Sequence, residues 1–143
     1  LFTIAQNITA KIILIKDGDT VEMLFEGKPL IVRLAHIDCP EKNQPFGMKA
    51  KQFASDFCFG KMVKVSGYGK KDRNGRWIAE IFYKNQNLGK ELVRNGLAWH
   101  FKKYSNNAEY AQLENLARKN RVGLCQDQNA IAPWLWRENK KKK

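Results

Sequence analysis

The apolar residues of this chain follow two different rhythms, and the switch between them outlines the fold. Residues 8–37 are rich in Ile, Val, Leu and Thr and are interrupted twice by turn residues, at Asp17-Gly18 and at Gly27-Lys28-Pro29. β-branched runs bounded by glycine and aspartate predict three consecutive strands joined as a meander. In the third, over residues 30–37, side chains alternate across the strand, with Leu30, Val32 and Leu34 on one face and Ile31, Arg33 and Ala35 on the other. Arg33 therefore projects from an otherwise apolar strand.

The rhythm then changes. Ala50, Phe53, Ala54 and Phe57 recur at i, i+3, i+4 and i+7 within residues 46–59, and Gly60 follows, which predicts an amphipathic helix with a glycine stop. Two more strands are expected over residues 62–67 and 77–83, separated by a basic loop between Gly69 and Gly75, where Asn74-Gly75 is a strong hairpin signal. Leu88, Leu92 and Val93 predict a short helix ending at Gly96. A longer one is predicted over 106–121, capped by Asn106 with Glu109 three residues on and carrying Leu113, Leu116 and Ala117 as its apolar stripe. Residues 126–143 read as an irregular extension until Pro133, which suits the first turn of a short helix. The closing lysines, Lys140 to Lys143, are expected to be flexible.

Five short strands with a helix between the third and fourth match the oligonucleotide/oligosaccharide-binding (OB) fold, a five-stranded Greek-key barrel. The fold class expected is therefore α+β, mainly β, with about three helices. At 143 residues the chain suits one domain, residues 1–143, with 126–143 as a C-terminal extension and basic tail. Its longest aliphatic run, from Ile12 to Ile15, is far too short to span a membrane. The charge adds a partner: 26 Lys and Arg against 14 Asp and Glu give +12, which favours a polyanion.

Three acidic residues sit close to strand ends: Asp19 in Asp17-Gly18-Asp19-Thr20, then Asp38 and Glu41 in Ile37-Asp38-Cys39-Pro40-Glu41. If the first and third strands pair, Asp19 and Asp38 meet, and two carboxylates in a small space need a cation or a proton between them. Hard oxygen donors suit Ca²⁺ or Mg²⁺. The same segments also read as an ordinary hairpin turn and a helix start. Arg33, mid-strand, and Arg76, directly after Asn74-Gly75, each offer a planar fork matching phosphate oxygens, or else pair with a carboxylate. Lys70, Lys71 and Arg73, with Lys49 and Lys51, could line a groove that tracks a phosphate backbone.

Four stretches in order, Asp17-Gly18-Asp19-Thr20-Val21, Arg33 to Glu41, Asp72-Arg73-Asn74-Gly75-Arg76 and Leu92 to Ala98, resemble the staphylococcal nuclease-like (thermonuclease) family over roughly residues 8–125. The resemblance implies a Ca²⁺-dependent phosphodiesterase that hydrolyses DNA and RNA with little base preference and leaves 3′-phosphate ends. By position it implies that Asp19 and Asp38 are carboxylate ligands of Ca²⁺ and that Cys39 donates its backbone carbonyl. It likewise implies that Glu41 accepts a proton from, or orients, the attacking water, and that Arg33 and Arg76 grip the phosphate. These positions are all intact. Asn74 and Lys102 stand where the family carries tyrosines near the substrate, and Tyr104 matches a third, so base stacking is expected to differ.

Single- and double-stranded DNA and RNA are thus the expected partners of a monomer with no membrane association. The chain begins at Leu1 without an initiator Met, which suggests a removed leader and a secreted or periplasmic location. Trp99, His100 and Phe101 could form an aromatic platform for bases or pack beneath the following helix. His36 and His100 have no zinc-like spacing with a cysteine and are expected to be structural. Cys58 and Cys125 could form a disulfide or remain buried thiols. Trp134 and Trp136 are expected to anchor the extension. The rival function is a binding module on the same barrel that has lost catalysis; a protein-interaction domain using the Trp134–Trp136 patch has less support.

Overall fold

A computed structural model describes residues 7–142, Tyr68 by its backbone only; Leu1 and Lys143 lie outside the described residues. β1 (Ile8–Asp17), β2 (Thr20–Phe25) and β3 (Lys28–Leu34) form the expected antiparallel meander, with Ile12 opposite Met23 and Thr20 opposite Arg33. The alternation places Ala10, Ile12, Val21, Met23, Val32 and Leu34 inside, all buried.

The other edge of β1 pairs with β5 (Met62–Lys71), β5 pairs with β6 (Trp77–Tyr83), and β6 returns parallel to β3 with Ala79 opposite Leu34. These five strands close a barrel in the order β1-β2-β3-β6-β5. Closure gives each of these five strands a neighbour on both sides, and Val63, Val65, Ala79 and Ile81 complete the interior.

β1 and β3 do not pair directly, because β2 lies between them as the meander requires. The third strand also stops early, at Leu34. His36 adopts a left-handed backbone (φ 72°) and turns the chain, so Ile37 and Asp38 form a separate short strand, β4 (Ile37–Asp38). It pairs with β8 (Trp99–His100); between them in sequence come β7 (Gln86–Asn87) and α2 (Leu88–Arg94). β5 runs four residues past its expected end, through an irregular stretch before Lys71, and shortens the basic loop.

The helix α1 (Gly47–Cys58) lays Ala50 and Ala54 against the barrel with Phe53 and Phe57 packed beside them, as its periodicity predicts, and buries Cys58 as well. α3 (Ala108–Lys119) is capped by Asn107 rather than Asn106: the Asn107 side chain accepts from the N–H groups of Glu109 and Tyr110. Its buried face is Tyr110, Glu114 and Ala117, whereas Leu116 is 48% exposed, so the stripe is rotated from the expected one. The reason is polar: Glu114 is drawn inwards by the backbone N–H of His100, which it accepts at 2.7 Å. The chain continues through a 3-10 turn (Gly123–Gln126) into α4 (Pro133–Lys141), making four α-helices among the described residues where about three were expected. Pro133 opens α4, and Lys140 and Lys141 form its last turn instead of a flexible tail. Cys39, Cys58 and Cys125 are all free thiols.

Candidate active site

The turn between β1 and β2 carries Asp19, and the register of β2 with β3 sets it beside Arg33, one residue from its Thr20 partner. A hydrogen bond from the Leu34 N–H to the Asp19 carbonyl (2.8 Å) fixes this approach. The chain then folds back at His36, so that Asp38 meets the same guanidinium. Asp19 and Asp38 do converge as expected, but through β2 rather than by direct pairing of β1 with β3.

Arg33 sits at the middle of this arrangement. One terminal amino group donates to the carbonyls of Leu34 and Ile37, both at 2.9 Å; the other lies 3.2 Å from Asp38 Oδ1 and 3.4 Å from Asp19 Oδ2. Burial opposes the Arg33 charge, yet the carboxylates of Asp19 and Asp38 outweigh it and hold its pKa above the ordinary value. Asp19 also accepts from the Cys39 N–H at 2.7 Å and from the Thr20 hydroxyl at 3.0 Å. The Cys39 thiol is buried and its pKa is pushed well up by that burial, which leaves its backbone as the polar part facing Asp19. Burial also raises the pKa of Asp38, against the pull of the arginines.

Arg76 lines the same cleft from the loop after β5, but its partner is Asp72, whose Oδ2 accepts from Nε at 2.7 Å. Asp72 Oδ1 meanwhile accepts from the N–H groups of Asn74 and Arg76 and shapes the loop. Burial, the largest single influence, pushes the Asp72 carboxyl up, but these bonds and the Arg76 charge together outweigh it and hold it below its ordinary value. Glu41 stands on the loop after Asp38, with its N–H donated to Gln44 Oε1 at 3.0 Å. Lys70, Lys71, Arg73, Lys102 and Tyr104 all line the cleft, whose volume is about 1310 Å³, more than a small-molecule pocket needs. Lys49 does not; it is exposed on α1, over the ring of Phe46. Lys102 is engaged by the buried Glu114 carboxylate.

Two residues were missed. Asp17, the first acid of Asp17-Gly18-Asp19, lines the cleft, and its Oδ1 is buried without a hydrogen-bond partner. Burial, and then Asp19, raise its pKa. Its place in the motif two residues before Asp19 was the available signal. Arg137, from α4, reaches across to Asp38 Oδ2 (2.6 Å) and Glu41 Oε1 (2.8 Å). Nothing local to Arg137 marks it, since its partners lie far away in sequence.

The aromatic cluster packs rather than presenting a platform. Phe101 stacks on Trp134 (centroids 5.2 Å apart, planes at 4°), Trp99 meets Trp134 edge-on, and Arg118 covers Trp99. Trp134 thus anchors the extension as expected, while Trp136 lies under Lys140. Tyr104 is 69% exposed beside the cleft. His36 Nδ1 and His100 Nε2 both bond the Ser105 hydroxyl, a structural use of both rings.

Asp19 and Asp38 offer hard oxygen donors of the kind that suit a divalent cation, and Asp17 lines the same cleft with one oxygen lacking a hydrogen-bond partner. Among the described residues no three His, Cys, Asp or Glu side chains gather around one point, and Arg33 and Arg137 are paired with the carboxylates.

Residues 31–127 match the family described as staphylococcal nuclease homologue. The chain is 42% identical to an uncharacterized endonuclease of Haemophilus influenzae, over 93% of this chain and 75% of that protein. It is 34% identical to a micrococcal nuclease of Shigella flexneri, over 94% of this chain and 83% of that one. It is also 39% identical to the staphylococcal-like nuclease CAN1 of Arabidopsis thaliana, over 80% of this chain but 35% of that protein. A barrel with its acids and arginines on one rim, together with these matches, leads to one conclusion: the chain belongs to the staphylococcal nuclease family.

Proposed function

We infer that this chain is a Ca²⁺-dependent, sugar-nonspecific nuclease that hydrolyses phosphodiester bonds of DNA and RNA and leaves 3′-phosphate ends. The coarse activity, phosphodiester hydrolysis in nucleic acid, follows from family membership. The observation that carries the finer reading is the meeting of Asp19 and Asp38 at Arg33, with Arg76 on the facing loop of the same cleft.

Asp19, Asp38 and the Cys39 carbonyl would hold the ion, with Asp17 lining the same cleft. When bound, Ca²⁺ supplies charge to polarise a phosphoryl oxygen. The chain's own residues do the rest. Arg76 presents a fork preset by Asp72, which stabilises negative charge as it builds on the phosphoryl oxygens. Arg33 adds positive charge from a fixed position. Glu41 accepts a proton from water or orients it for attack. Lys70, Lys71 and Arg73 track the backbone without reading bases, and exposed Tyr104 offers a ring on which one base can stack. A monomeric, secreted or periplasmic enzyme completes the proposal.

The test is digestion of heat-denatured DNA across a Ca²⁺ series, beside Mg²⁺ and EGTA, with product ends assayed for 3′-phosphate. Ca²⁺-dependent shortening to 3′-phosphate ends is expected. DNA bound with a steep salt dependence but left intact in every condition would instead favour the binding module.

A further inference from the structure

The C-terminal extension enters the centre of the cleft through one side chain. Arg137 spans two carboxylates at once: one terminal amino group lies 2.6 Å from Asp38 Oδ2, and the other lies 2.8 Å from Glu41 Oε1 and 3.3 Å from Asp38 Oδ1. Those bonds outweigh the cost of burial and hold the guanidinium's pKa well above its ordinary value. The Asp38 side chain is 2% exposed, whereas that of Arg137 is 40% exposed, so Arg137 is the partner free to move.

Its position is built, not incidental. Trp134 and Arg137 lie three residues apart and share a face of α4. Trp134 is stacked on Phe101, and the buried Pro133 and Ala132 seat the helix start. The segment ahead of α4 is tied to the Glu41 loop by a second device. Buried Gln44 donates from Nε2 to the Ile131 carbonyl while its Oε1 accepts the Glu41 N–H. Extension and acidic loop are therefore joined twice, once by backbone and once by charge.

We propose that Arg137 is a positioning residue of the active site: it holds Glu41 against Asp38 and competes with the divalent cation for Asp38. This rests on the assignment of Asp38 as a cation ligand. Charge bookkeeping supports it, because three carboxylates, Asp19, Asp38 and Glu41, face two guanidiniums, Arg33 and Arg137. A cation arriving at Asp38 meets Arg137 as a like charge within contact distance. Arg137 then gives up Asp38 but keeps Glu41, turning that carboxylate relative to the bound phosphate. The cation affinity and the placement of Glu41 are thereby set from the C-terminal helix.

The test uses the full chain and Ca²⁺ alone, titrated calorimetrically without substrate, for wild type, Arg137→Gln and Arg137→Lys. Removing the competing charge in Arg137→Gln is expected to tighten Ca²⁺ binding at least about fivefold. Arg137→Lys retains the charge and stays near wild type in Ca²⁺ affinity, but an ammonium cannot span both carboxylates. At saturating Ca²⁺, where Glu41 is the carboxylate left to hold, Arg137→Gln is expected to lose about tenfold or more in kcat with little change in KM for DNA, and Arg137→Lys, which keeps a cation for Glu41 without the planar fork, to lose less. A purely structural role would lower the melting temperature without tightening Ca²⁺ binding. Equal Ca²⁺ affinity in wild type and Arg137→Gln overturns the competition, and full turnover at saturating Ca²⁺ overturns the positioning. A wild-type chain that binds no Ca²⁺ would overturn the metal assignment itself, and this inference with it.

Discussion

Asp72 holds Arg76 by the side of its guanidinium and not by its tip: Oδ2 accepts from Nε at 2.7 Å. Among the described residues the two terminal amino groups of Arg76 have no protein partner, which leaves the forked edge facing the cleft. Arg33 is the opposite case, with its terminal nitrogens engaged by two carbonyls and two carboxylates. Asp72→Asn separates the two jobs of Asp72. Its remaining oxygen can still accept the N–H groups of Asn74 and Arg76, but the charged brace on Arg76 is lost. We expect kcat to fall about tenfold with a melting temperature close to wild type, because only the preorganisation of Arg76 is removed. Single-turnover kinetics beside a thermal melt check this; unchanged kcat would show that Arg76 needs no brace.

Glu41→Gln is expected to lower turnover by about 10²–10⁴-fold while leaving oligonucleotide binding nearly intact, since the amide keeps the shape but cannot take a proton. Binding measured by fluorescence anisotropy in Ca²⁺, set against a cleavage assay, separates the two effects. Unchanged turnover would remove Glu41 from the mechanism.

Gly18 lies in the turn between the two acids, where an added Cβ would come within 2.8 Å of Ala50 Cβ and 2.9 Å of Cys39 Sγ. Both neighbours are buried, so α1 or the Cys39 segment must shift. Gly18→Ala is expected to cost about 1–3 kcal/mol of stability through overpacking. It should also weaken Ca²⁺ binding, because Asp17 and Asp19 flank the displaced residue. Urea denaturation and a Ca²⁺ titration on the same sample report both; a stable variant with wild-type Ca²⁺ affinity would mean that the turn absorbs a methyl group freely.

His36 and His100 share the Ser105 hydroxyl, and burial holds the pKa of both below the ordinary 6.5. Glu80 opposes the shift at His36 and Lys90 adds to it; at His100, Lys102 and His36 add to it and Glu114 opposes it. The unfolded chain therefore takes up protons before the folded one does as pH falls. Their contribution to stability is complete above about pH 6.5 and is lost as pH falls from there through the lowered folded values. Denaturation midpoints in EGTA are expected to be nearly level from pH 8 to 7 and to decline at pH 6 and below, and the double variant His36→Gln, His100→Gln to flatten the decline. A wild-type midpoint that rises towards pH 6 would contradict the assignment.

Much of the barrel was readable because strand and helix periodicity are local properties. The inward alternation of Leu30, Val32 and Leu34 and the Ala50-Ala54 stripe appear in the structure as the sequence implies. The rotation of α3 was not readable, since what buries Glu114 instead of Leu116 is the N–H of His100 on another element.

The sequence by itself singled out the candidates: Asp19, Asp38, Glu41, Arg33 and Arg76 stand in short motifs, in an order that resembles one family. Tertiary structure alone decided how they are paired. Closure of the barrel by the parallel β3–β6 contact, the use of β2 to bring Asp19 to Arg33, and the reach of Arg137 to Asp38 all join distant segments. The physical reason is that backbone periodicity and turn preference act over a few residues. A salt bridge such as Arg137 to Asp38 depends instead on where packing, here the stack of Trp134 on Phe101, finally sets the helix down.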